Sequence, residues 1–244
     1  MKKIIIFLFS IFSFSQNVTD SNGLKQGDWE LYFPYAENVL SEKGFFLNDK
    51  EEGIWLKYHE EGLIREVVSY KYGEINGVRI VLDNKGKLVE QENYLNGKFD
   101  DIQMYFHDTG KIKMKINYQN GVMEGELVKY YRNGNKQEMA IYTNGLKNGL
   151  SIWYYDNGNI SIEYPYQNGL IDGVVKIYYN DGILKSETNY SNNEKDGESK
   201  TYYVSGNIKS LELYKKGKKD GKSYTYNEDG TIQNIVKYKN GEIN

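Results

Sequence analysis

The sequence predicts an all-β protein: an elongated array of about nine β-hairpin repeats, each of ~24 residues, forming one continuous antiparallel sheet. Three observations carry that prediction. The 244 residues include 25 Gly and 24 Tyr but only 2 Pro, a balance suited to many tight turns joining aromatic strands. The glycines recur at a fixed interval. The tyrosines recur at the same interval and in phase with them.

The glycines fall into three sets. Gly62, Gly86, Gly110, Gly134, Gly158, Gly182, Gly206 and Gly230 are 24 residues apart without a gap. A second set runs from Gly73 to Gly241, with Asn193 in its one vacant position, and a third from Gly53 to Gly221, with Asp101 in its vacancy. Asn and Asp are the residues that best replace Gly where φ is positive, so even the exceptions point to a backbone cause. Periods of this length mark repeat architectures.

The aromatic ladder runs from Tyr70 to Tyr238 at the same spacing, with Phe46 before it. A second ladder holds Tyr58, Phe106, Tyr130, Tyr154, Tyr178, Tyr202 and Tyr226. In the unit Gly149–Asp172, a strand is predicted over Leu150–Tyr155 and a turn at Asp156-Asn157-Gly158. A second strand follows over Asn159–Tyr166, and Gln167-Asn168-Gly169 turns into the next unit. Turn signals this close together, two in every repeat, exclude a helical repeat. Simple alternation places Leu150, Ile152 and Tyr154 on one face, with Ile160, Ile162, Tyr164 and Tyr166 joining them. Pro165 inside a strand implies a bulge or an unused N–H position.

Residues 1–16 read MKKIIIFLFSIFSFSQ, with Lys2 and Lys3 ahead of an apolar run from Ile4 to Phe14. This is the pattern of a cleaved secretory signal, too short to span a bilayer. The expectation is export to the periplasm, the cell envelope or the medium. Residues 17–22 form a leader, and 23–244 form the repeat domain.

The unit G-x-W-x-x-Y-Y-x-N-G with its second Y-x-N-G-x-x-x-G stands out in GIWLKYHEEG (53–62), YYRNGNKQEMAIYTNGLKNG (130–149) and YYDNGNISIEYPYQNGLIDG (154–173). It resembles the bacterial MORN repeat variant, over residues 23–244. Whole proteins of this type are often named YwqK-family antitoxins of toxin–antitoxin systems. The resemblance implies a β-hairpin array without catalysis, and the name implies a toxin partner.

Composition excludes several chemistries. Cys is absent and His numbers two, which removes thiol catalysis, disulfides and Cys- or His-rich metal sites. There is no G-x-S-x-G motif and no phosphate loop, and no carboxylate pair is marked by the repeat. An enzyme is not expected, and no cofactor or metal is implied. A net charge of -3 makes no global case for nucleic acid. His59 and His107 share a repeat position two units apart and read as surface residues. Asp156, Asp181 and Asp229 read as turn residues.

Two candidate binding features remain. Tyr131, Tyr155, Tyr179 and Tyr203 each follow a ladder Tyr by one, so alternation directs them to the opposite face, as a stripe suited to glycan stacking or protein contact. Lys215, Lys216, Lys218, Lys219 and Lys222 form a basic cluster suited to anionic lipid. The leading expectation is a non-catalytic exported scaffold that binds a protein at the envelope through a long sheet face. The alternatives are an antitoxin-like role and membrane-surface or glycan binding.

Overall fold

The computed structural model describes residues 16–244. The predicted signal segment therefore lies almost wholly outside the described residues. Among these there are 24 strands and no helix, and the strands all pair antiparallel in one sheet. The predicted fold class is the observed one.

Each repeat is built as its turn chemistry dictates. In the unit read above, the strands are Gly149–Tyr154 and Ile160–Gln167. Between them Tyr155 N–H donates to Asn159 O at 2.8 Å and Gly158 N–H to Tyr155 O at 3.0 Å. Gly158 sits at φ 95°, a conformation that side chains with a Cβ resist. The two residues that interrupt the glycine sets, Asp101 and Asn193, both adopt φ 69°. The backbone reading of those exceptions holds.

Alternation, however, is broken once per hairpin. Trp153 pairs with Ile162 but Tyr154 pairs with Ile160, so Ser161 is an extra residue in a β-bulge. Leu150, Ile152 and Tyr154 therefore share a face with Pro165 and Glu163. Ile162, Tyr164 and Tyr166 pair with Trp153, Ser151 and Gly149 on the opposite face, against the simple expectation. The same shift recurs between Lys57 and Tyr58, Lys129 and Tyr130, and Ile177 and Tyr178.

Two compact units are distinguished. The first runs to Leu88 and includes Tyr94–Gly97. Its core is Phe46, Trp55 and Val68, packed by Trp29, Leu31, Tyr70 and Ile75. The Trp55 ring meets Phe46 edge-on at 4.8 Å, and its indole N–H donates to Phe45 O at 3.2 Å. Glu66, buried on the same strand as Val68, accepts from Arg79 at 2.9 Å and pairs with Lys57 at 3.5 Å.

The second unit comprises Val89–Asn93 and Lys98–Asn244. It buries Ile116, Leu127, Val128, Ala140, Ile152 and Val175. It also buries Glu138, whose carboxylate lies 2.8 Å from the Lys129 ammonium and 3.0 Å from that of Lys147. Burial opposes its charge, but the two lysines outweigh burial and hold the carboxyl below its usual range. A depressed carboxyl stabilises the fold above its unfolded pKa, and that stability is lost as pH falls through the folded value. Lys147→Met is therefore expected to cost about 2 kcal/mol at pH 7 by stranding half of a buried charge. The difference from wild type should shrink in acid, as pH falls through the lowered folded-state value of Glu138 and the carboxylate is neutralised; urea titrations at pH 7 and across the acid range measure it.

Pro165 sits where the expected gap occurs. Its strand pairs with the next at Ile162 and Glu163, and with the short strand Leu170–Ile171 at Tyr166 and Gln167, leaving Pro165 between the two segments. Only its carbonyl is used there, accepting from Asp172 N–H at 3.0 Å.

Candidate protein-binding face

Side chains tie each repeat to the next in two ladders. The first uses the residue that opens the tight turn. Tyr131, Tyr155, Tyr179 and Tyr203 donate their hydroxyls to the carbonyls of Tyr154, Tyr178, Tyr202 and Tyr226, at 2.7–3.3 Å. His59 and His107 occupy the same repeat position and reach Leu82 O and Tyr130 O with Nε2, at 3.3 and 2.9 Å. These histidines are half-buried bridges rather than plain surface residues. The second ladder uses the residue before six of the eight third-set positions, Asp101 counted among them. Glu52, Asp100, Glu124, Asn148, Asp172 and Asp220 accept from the backbone N–H of Tyr72, Asn120, Asn144, Asn168, Asn192 and Asn240. Those six recipients all have φ between 49° and 54°, so the acceptor pins a left-handed turn.

The tyrosine stripe therefore exists as an alignment, but its hydroxyls serve the array. The rings are half-buried, and the ammonium groups of Lys185 and Lys209 stand 5.5 Å from the rings of Tyr179 and Tyr203. Tyr155→Phe is expected to lower stability by about 1 kcal/mol, the net value of one hydrogen bond. Thermal unfolding followed by circular dichroism checks it.

The lysine cluster is divided by the structure. Lys215, Lys216 and Lys218 line a shallow cavity of about 390 Å³ together with Lys239 and Asp220. Lys239 pairs with Asp220 at 3.1 Å. Lys219 turns away to Glu212 at 2.6 Å, and Lys222 stands exposed outside the cavity lining. Asp181 and Asp229 act as the turn residues expected, accepting from Ile183 and Thr231 N–H.

A feature the sequence reading missed lies in the second unit. Pairing registers align one side chain per strand in a row across the sheet. Ile102 pairs with Asn117, Glu126 with Ile141, Leu150 with Pro165 and Val174 with Asn189. The registers that set Ile141 beside Leu150 and Pro165 beside Val174 continue the row between these pairs, and Asn117 with Glu126 and Asn189 with Glu198 share cavity linings at its two ends. Ile102, Ile141, Leu150 and Val174 are each 40–44% exposed, well above what a satisfied core position shows. Glu126 and Glu198 are exposed as well. Two residues along their strands from Glu126 and Leu150, on the same face, Val128 and Ile152 are buried.

The row has a cavity at each end. One, of about 310 Å³, is lined by Ile102, Lys115, Asn117, Glu126, Val128 and Tyr130. The other, of about 220 Å³, is lined by Val174, Glu187, Thr188, Asn189, Glu198 and Lys200. Ile102, Lys115, Asn117, Glu126 and Val128 recur three repeats later as Val174, Glu187, Asn189, Glu198 and Lys200. Both cavities open where a bulge shifts the register, between Ile116 and Tyr118 and between Thr188 and Tyr190. In the second cavity Glu187 is engaged by the Tyr202 hydroxyl at 2.7 Å. Burial first, then that hydrogen bond, pushes Tyr202 up to about 12 and keeps it a donor at neutral pH. In the first unit the equivalent cavity, of about 330 Å³, holds Asp28, Glu30, Lys43, Ile54 and Leu56.

Fold and face together define a β-hairpin repeat protein with an exposed sheet face that is apolar in the middle and acidic toward its ends. The chain belongs to the MORN repeat variant family, whose model matches six tandem segments: 102–120, 123–144, 147–168, 171–192, 195–216 and 219–240. No curated protein matches the chain. Among solved structures it is similar to a chain of the TcdB2–TccC3–Cdc42 crystal structure, at 11% identity and a TM-score of 0.22. That match covers 85% of this chain and 13% of the other.

Proposed function

We propose that this chain is a non-catalytic scaffold that binds another protein through the exposed row between Ile102 and Glu198, after export to the cell envelope. The observation that carries the reading is the row itself. Four aliphatic side chains, each 40–44% exposed, lie on a sheet face with no covering layer among the described residues. A sheet face of this kind is normally buried against a second layer, so its exposure marks an interaction surface. The repeat-defining residues are turn glycines, turn-capping acids and packed aromatics, which leave the array free to present a surface. The export element of the proposal rests on Lys2, Lys3 and the Ile4–Phe14 run.

The test is affinity capture from envelope extract with residues 17–244 as bait, beside a Leu150→Glu/Val174→Glu bait. A protein retained by the first and lost from the second supports the reading. A retained set identical for both baits defeats it. An antitoxin-like role is the special case in which the captured protein is toxic when expressed alone.

A second reading is favoured by the lysine-lined cavity: attachment to an anionic lipid surface. Lys215→Gln/Lys216→Gln/Lys218→Gln should then reduce sedimentation with phosphatidylserine vesicles at least fivefold. Binding by the wild type should weaken as salt rises from about 50 to about 300 mM, because the exposed ammonium groups are screened. Equal sedimentation of both proteins would dismiss it.

A further inference from the structure

We infer that the row in the second unit receives an amphipathic α-helix, aliphatic along one face and carrying a basic residue near each end. This inference rests on the scaffold reading and specifies its partner.

Three features argue for it. The first is the apolar centre. Ile141, Leu150, Pro165 and Val174 lie on four successive strands: Leu150 pairs with Pro165, and the registers that pair Met139 with Ile152 and Glu163 with Lys176, continued by two residues, set Ile141 beside Leu150 and Pro165 beside Val174. None of these side chains donates or accepts a hydrogen bond. An extended peptide crossing them would leave its backbone N–H and C=O groups desolvated and unpartnered. A helix brings its own backbone hydrogen bonds, so it alone crosses this stretch without that cost.

The second is charge. Exposed Glu126 precedes the apolar stretch and exposed Glu198 follows it, each beside an asparagine, Asn117 and Asn189. Lys200 already neutralises part of Glu198, at 2.6 Å, while the Glu126 end holds Lys115. Arginine suits both ends, because its fork engages a carboxylate and an amide carbonyl together.

The third is length. Six strand-to-strand steps separate the strands of Glu126 and Glu198, about 29 Å at ~4.8 Å per step. A helix covers that span in about 19 residues. The two cavities then accept the basic ends, and the apolar stretch between them accepts the aliphatic stripe of the helix.

The probe is a synthetic alanine-based helix of about seven turns, with leucines at i, i+3, i+4 and i+7 spacing and an arginine pair about five turns apart. A second peptide carries glutamates in place of the arginines. A third is an extended peptide with alternating leucine and arginine, interrupted by prolines. Fluorescence anisotropy with the full chain is expected to show the arginine helix binding at least tenfold more tightly than either other peptide. Leu150→Glu should weaken it at least tenfold. Glu126→Gln/Glu198→Gln, an isosteric surface change, should abolish the preference for arginine over glutamate and leave the fold intact by melting temperature. Equal affinity for the two helices, stronger binding of the extended peptide, or affinity unmoved by both variants would overturn the inference. If affinity capture succeeds with a row-dependent partner while the helix does not bind, the scaffold reading stands and the helix falls. If the helix binds while capture yields nothing row-dependent, the site stands and the scaffold reading falls.

Discussion

Gly44→Ala should destabilise the first unit by about 3 kcal/mol, near the upper end for an overpacked core. Gly44 is outside the three periodic glycine sets and pairs with Trp29. A Cβ added there would lie 2.3 to 2.5 Å from three ring atoms of Trp55. The obstacle is the body of an indole that is 1% exposed, wedged against Phe46 and Val68, so it has nowhere to go. Elsewhere the array needs glycine for φ; at Gly44 it needs glycine for space. Urea unfolding followed by tryptophan emission measures the loss, since Trp29 and Trp55 lie in that unit. A coupling test separates space from backbone. In a Trp55→Leu background the same Gly44→Ala change should cost under about 1 kcal/mol, giving a strong interaction energy between the two sites. An equal cost in both backgrounds would mean the ring is not what glycine accommodates.

Gln103→Val should cost about 3 kcal/mol, through hydrogen bonds rather than volume. Gln103 is fully buried and accepts from Asn93 N–H at 2.7 Å, while its amide donates to the carbonyls of Asn93, Asp100 and Asp101. Removing it strands a buried backbone donor, for which the penalty is roughly 1–3 kcal/mol, and deprives three carbonyls of a partner. The chain contains its own control. Three repeats later the same two positions are Pro165 and Val175. Where proline removes the N–H, valine replaces the side chain that would have satisfied it. Asn93→Pro/Gln103→Val transplants that pair, and the double variant is expected to be more stable than the sum of its single changes by about 1 kcal/mol or more. Additive losses by thermal unfolding would refute the compensation.

These pairs show what the sequence made legible. The hairpin array was readable because a positive φ is demanded at fixed places and few residues meet the demand; Asp101 and Asn193 in glycine positions were as informative as the glycines. The bridges between repeats were not readable as contacts, because their acceptors and donors lie most of a repeat apart in the chain. Their mark was nonetheless present: the residue before each third-set glycine from Glu52 to Asp220 is Asp, Glu or Asn. Tyr131, Tyr155, Tyr179 and Tyr203 were noticed as a stripe, but hydropathy does not tell a stacking platform from a donor ladder. The faces of Ile162, Tyr164 and Tyr166 were misassigned because strict alternation overlooks the bulge at Ser161. The same devices hid the exposed row. Its members come from strands that pattern alone puts in phase only when every bulge is counted.

Carboxyl footprinting of the chain with a captured protein bound tests the central claim most directly: that a partner covers the sheet face between Ile102 and Glu198. Carbodiimide labelling should fall at least fivefold at Glu126 and Glu198 on binding, and stay unchanged at Asp108 and Asp229 in the exposed turns. Unchanged labelling of Glu126 and Glu198, with protection at the turns instead, would contradict the account and move the interface to the hairpin tips.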